Sequence, residues 1–295
     1  MQESALFMGN AAVYAVMILV KQQLPKRPKE IVELVTLLAG AAPAGGADYA
    51  GAVISAVCGG LPKLTAPKNP HAWVSAGTSY EGSTYAQDRL TPGLLAELIR
   101  AMEGLGNAAA AEKFVPVLKA NPVIFDPLLI LAPALEELLK GSRGGKASFF
   151  SARPIWKHTA EKLLERSHAP PEPPEDWSLA MQLACSCADC RTLQAFSIHP
   201  EERTHRFRMN KDRRMHLHRK IEAHGLDMTH VTERKGSPQT LVCRKTRRRF
   251  ELRTAQYQAD LAACAVLVKL AAAAGTHEPP LRKQLQSVEK TPGSF

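Results

Sequence analysis

Catalytic signatures are missing from this sequence. It has no glycine-rich phosphate loop, no Gly-x-Ser-x-Gly elbow and no His-Glu-x-x-His pair. Nucleotide hydrolysis, serine-esterase chemistry and zincin-type proteolysis are therefore left without the residues they need. Aromatic residues are scarce, 6% of 295 positions. A membrane anchor is not offered by Ala5 to Val20, which is apolar but breaks at Lys21, short of the ~20 residues a span requires. No basic region precedes that stretch as it would in a secretory signal. A buried helix is the expectation there. Its abrupt start, with no capping loop ahead of it, is what a fragment of a larger protein would show.

What is present describes a globular chain, with 45% hydrophobic and 22% charged residues. The six cysteines are unevenly placed. Cys58 and Cys264 lie in apolar helical stretches and Cys243 in an apolar strand, where a thiol acts as a small core residue. The other three form Cys185-x-Cys187-x-x-Cys190. Such close spacing suits a metal better than a disulfide framework, which spreads its cysteines to close loops. Cys187 and Cys190 make a knuckle for one ion, Cys185 can reach the same ion, and a tetrahedral zinc site then needs one downstream ligand. His216 is the expected fourth, with His218 pointing away from it on the same helix. Buried or redox-active thiols without metal are the alternative. Cysteine used this way points to a reducing, intracellular compartment, cytoplasmic or, in a eukaryote, nuclear.

Apolar periodicity organises the chain into two parts. The first half reads as successive helices: IVELVTLLAG carries Ile31, Leu34, Val35 and Leu38 on one stripe, and further helices follow Pro92 and the Asn121-Pro122 break. Pro62 to Thr91 reads as a long irregular loop. Four prolines within Ala169 to Asp176 favour an extended spacer. Beyond Trp177 come a helix over Asp189 to Ile198, a strand over Thr204 to Met209, a basic helix over Lys211 to His224, two strands flanking Lys235-Gly236-Ser237-Pro238, and a long last helix from Arg249 to Ala274. The expected fold is mainly α. An irregular α-solenoid or bundle (1–168) leads through a proline-rich linker (169–177) to a small zinc-stapled α+β domain (178–274) and a disordered tail (275–295).

The net charge of +10 is concentrated: Arg191 to Arg253 holds seventeen Lys and Arg against seven Asp and Glu, an excess of ten. Arg213, Arg214, Arg219, Lys220, Arg247 and Arg248 are the candidate partner-binding residues, for nucleic acid or an acidic protein surface. A solvated charged face is the plainer reading. Only Phe207 and Phe250 interleave with these cations, too few for single-strand stacking. His199-Pro200-Glu201 reads as a helix-end loop and His224 as a helix C-terminal cap.

CSCADCRTLQAF, HRF, KDRRMHLHRKI and MTHVTERKGSPQTLVCRKTRRRF, with LLERSHAPPEPPEDW before them, resemble the C-terminal region of large, poorly characterised microbial proteins. In several of these an N-terminal part looks like a 2-oxoglutarate- and Fe(II)-dependent oxygenase. The resemblance covers Trp156 to Tyr257, best at Cys187, Cys190, Arg214, His216 and Gly236-Ser237-Pro238. It implies an accessory half of such an oxygenase. The iron-holding His-x-Asp occurs nowhere in the chain, so no iron or cosubstrate residue is carried over.

Overall fold

The computed structural model describes residues 2–41, 47–67, 70–71, 90–105, 110–140, 152–274 and 279–289. Most of the loop expected between Pro62 and Thr91, and part of the expected disordered tail, lie outside them. The described chain is mainly helical with one small antiparallel sheet. It divides into two compact units: residues 1–69, 83–169 and 257–295 form the first, and residues 70–82 and 170–256 the second.

The first unit is helical: α1 (Gln2–Gln23), α2 (Pro28–Ala41), α3 (Ala47–Gly60), α4 (Pro92–Gly104), α5 (Ala110–Ala120), α6 (Ala132–Lys140) and α7 (Arg153–Arg166). Alternate helices are the main packing partners, α1 on α3, α2 on α4, α4 on α6 and α5 on α7. The apolar stripe of α2 buries Ile31, Val32 and Val35. Toward the end of α1, Val20 is buried, whereas Tyr14, Ile18 and Leu19 are exposed, so this part of the expected buried helix leaves apolar side chains uncovered. Thr91 caps α4 by accepting from the Leu94 N–H, and Asp126 accepts from the amides of Leu128 and Leu129 at 2.8 and 2.9 Å to start the turn leading into α6.

The last long helix, which we number α10 (Arg248–Ala274), is shared between the units. Its second part packs in the helical core through Cys264, Leu267, Val268, Leu270 and Ala271. Trp156 of α7 donates its indole N–H to the Leu267 carbonyl at 3.1 Å. Arg166 of α7 is clamped by Asp260 of α10 and by Asp126, the latter at 2.9 Å. Where a boundary is expected after Ala274, residues from Tyr257 onward group with the helical unit, and their apolar side chains pack in its core. This helix is long and apolar enough to cross a bilayer, but its most apolar side chains fill that core. Within the stretch expected as a disordered tail lies one more helix, α11 (Pro279–Glu289), whose fully buried Leu285 is part of the same core.

The second unit contains α8 (Ala188–Ile198), β1 (Thr204–Arg208), α9 (Lys211–Ala223), β2 (Met228–Glu233), β3 (Thr240–Lys245) and the start of α10. The strands run antiparallel in the order β1-β3-β2. Register places Phe207 opposite Leu241 and His205 opposite Cys243, which in turn faces His230 across β2. Alternation then sends Phe207, Leu241, Cys243 and Met228 inward. There they meet Cys190, Leu193 and Phe196 of α8 and Leu217 and Ile221 of α9. Gly236, at φ +76°, makes the β2–β3 turn. The proline-rich stretch ends docked on this unit: Trp177 donates to the Pro200 carbonyl and Leu179 to that of Ser197.

Candidate metal centre

Cys185 precedes α8, Cys187 is its N-cap, and Cys190 lies in its first turn. The Cys187 sulfur accepts the Cys190 N–H at 3.4 Å, so the helix N-terminus turns donors toward sulfur, a setting that favours thiolate. Asn210 caps α9 by accepting from the Arg213 N–H, and one turn further along that helix is His216. Its Nε2 lies 3.5 Å from the Cys185 sulfur, 3.6 Å from Cys187 and 3.1 Å from Cys190. All four donor atoms fall within 4.8 Å of one another.

These distances decide whether an ion fits. With metal–sulfur bonds of ~2.3 Å and metal–nitrogen bonds of ~2.0–2.1 Å, the N···S edge of a tetrahedron is ~3.5 Å. Two of the three observed N···S separations match that edge, and the third is shorter by a few tenths. The Cys3His cluster can therefore hold a metal ion. Burial is graded across it, from exposed Cys187 through half-buried Cys185 and His216 to fully buried Cys190. The thiols respond accordingly. Cys185 is held down at about 6 by backbone hydrogen bonding at Cys187 and then by its neighbouring sulfurs. Cys190 is pushed up to about 12, chiefly by burial and then by Cys187 and Cys185. A cation in the cluster offsets both burdens on Cys190.

Asp189, inside the knuckle, receives a forked hydrogen bond from Arg213, with Nε at 2.6 Å. That pair fixes α8 against α9 one turn before His216. It was not anticipated from sequence, although a carboxylate between the two knuckle cysteines and an arginine three residues before the histidine were the available signal. The second pair missed is His218 with His230, Nδ1 to Nδ1 at 2.6 Å, with the Thr232 hydroxyl on His218 Nε2 at 3.2 Å. His218 does point away from the cysteines, and it meets the sheet there.

The expected basic surface is dispersed. Arg213 is engaged with Asp189. Arg214 is only 8% exposed, because its guanidinium donates to the Met209 carbonyl at 2.6 Å and the Gln239 side chain at 2.7 Å. Arg247 lies over the Trp177 ring at 4.5 Å, opposite Arg203 at 4.4 Å. Arg219 and Arg248 are exposed and Lys220 partly so. The basic residues come from separate elements, and three of them, Arg213, Arg214 and Arg247, meet a carboxylate, carbonyl and amide oxygens, and an indole within the unit. Cys243 and Cys264 are fully buried, and burial pushes their thiols up to about 12 and about 11, as core cysteines require. His224 bonds the Lys220 carbonyl through Nδ1, and His199 accepts from the Glu201 and Glu202 amides; both sit at helix ends. A cavity of ≈ 300 Å³ beside Trp177 has three arginines, Arg247, Arg249 and Arg253, balanced by Glu172, Asp176 and Asp227.

No family model, no curated protein and no solved structure matches this chain.

Proposed function

We propose that the second unit is a zinc-stapled, non-catalytic interaction module carried on the helical unit as a scaffold. The convergence of three sulfurs and one imidazole nitrogen at tetrahedral spacing carries this reading. Three thiolates and an imidazole suit zinc by softness and geometry. Four protein ligands fill its shell, leaving no position for a reacting water, so the ion's role is structural. The buried core of this unit is small, and a metal bound only in the folded state adds its binding free energy to folding. Alternate-helix packing in the first unit supports an irregular solenoid as the scaffold.

The test is metal content of the full-length chain, purified without added metal, in wild type and in Cys187→Ser/Cys190→Ser. About one zinc per wild-type chain and none in the variant is expected, with the variant losing the tertiary structure of residues 178–256. A wild type that is folded and metal-free would overturn the reading.

A further inference from the structure

We infer that the outward face of the three-stranded sheet is a docking surface for double-stranded DNA, with β1 and β3 supplying the contacting arginines. This deepens the interaction-module reading and rests on it. The inference starts from alternation. While Phe207, Leu241, Cys243 and Met228 point into the core, the opposite side of the same strands carries Thr204, Arg206 and Arg208 on β1, Thr240, Val242 and Arg244 on β3, and Thr229, Val231 and Glu233 on β2. Among the described residues of the second unit this side is open: Arg206, Arg208, Arg244 and Thr229 are exposed, and Val231 is 63% exposed.

The face is cationic. Its one carboxylate, Glu233, is already taken by Arg206. Arg208 makes one long bond to the Ser237 carbonyl, at 3.3 Å, and the Arg244 guanidinium has no partner among the described residues. Arg234 and Lys235 stand exposed at the β2–β3 turn beside it. None of these cations is held by a carboxylate in the way Arg213 is on α9.

Shape selects the partner. Three strands ~4.8 Å apart make a face ~10 Å across, which suits a DNA major groove ~12 Å wide, where strands can lie as a helix does. Arginines can bridge phosphates or the guanine edge, while threonine hydroxyls and methyls and valine methyls suit base edges and thymine. No aromatic ring stands on this face, which disfavours an unstacked single strand.

The experiment is fluorescence anisotropy of the metal-loaded full chain with a mixed-sequence 20-base-pair DNA duplex across a salt series. Arg208→Ala/Arg244→Ala is compared with Lys26→Ala/Lys29→Ala, which removes equal charge from the helical unit. Wild-type affinity should fall steeply with salt. The sheet variant should lower the log–log salt slope by about two and weaken binding about tenfold or more at low salt, and the helical-unit variant should match wild type. The inference is overturned by no duplex binding, by tighter binding to the corresponding single strand, by loss in Arg219→Ala/Lys220→Ala with the sheet variant unchanged, or by capture of an acidic polypeptide in place of DNA. Metal per chain, measured on the same samples, separates the two failures: a folded protein that holds zinc and ignores DNA sinks this inference alone.

Discussion

Cys190 and Cys187 sit three residues apart, yet one is sealed in the core and the other faces solvent. This gradient sets how readily each thiol gives up its proton. A buried thiol resists ionisation, and burial pushes Cys190 up to about 12, a burden that a bound cation would offset. The supporting residue is Arg213. Its forked bond to Asp189 holds the helix bearing His216 against the knuckle, and outer partners of this kind typically govern metal affinity by 10–100-fold. Arg213→Ala is expected to weaken zinc binding about tenfold, read by competition with a chromophoric chelator, while leaving one metal per chain at saturation. Unchanged affinity would reduce the pair to an exposed ion pair of little consequence. The residues of the candidate cluster were legible in the sequence, since spacing of one and two residues reports on which thiols can share an ion. Asp189 was not, because a carboxylate's partner across 24 positions is not written in local pattern.

At the scale of elements, local signals placed every strand and helix of the second unit to within a residue or two: alternation gave β1, and the Lys235-Gly236-Ser237-Pro238 turn gave the two strands that flank it. The grouping of α10 is where the fold and the expectation differ. Its sequence is one uninterrupted helix, and nothing in helical periodicity says that its first turns serve one unit and its later turns another. The clamp of Arg166 between Asp126 and Asp260 records that division, with Asp260 almost fully buried. Asp260→Asn leaves a partly buried guanidinium short of a counter-charge, a loss of about 3 kcal/mol. Chemical denaturation followed by circular dichroism should show the helical unit unfolding earlier, with zinc stoichiometry unaltered. A loss of zinc in this variant would mean that α10 belongs to the metal module after all.

The whole molecule is two cores with different sources of stability. The helical unit buries a large apolar cluster that includes Trp156, Phe114 and Phe125, whereas the second unit has a much smaller one. Removing metal should therefore act on one core alone. On addition of a strong chelator, hydrogen exchange is expected to accelerate at Leu193–Phe196 and Leu241–Cys243 and to stay slow at Ile155–Leu163. Equal acceleration in both would show that the units fold as one. By itself, the sequence determined the mainly helical class, the individual elements of the second unit and the residues of the candidate Cys3His cluster, because each follows from interactions spanning a few residues or from the chemistry of thiols near a helix-borne histidine. Only the tertiary structure decided that α10 and α11 complete the first core, that Arg213 and Arg214 are consumed by internal bonds, and that Arg206, Arg208 and Arg244 share the exposed face of the sheet. Those outcomes depend on which surfaces meet, and burial and pairing are properties of the folded neighbourhood.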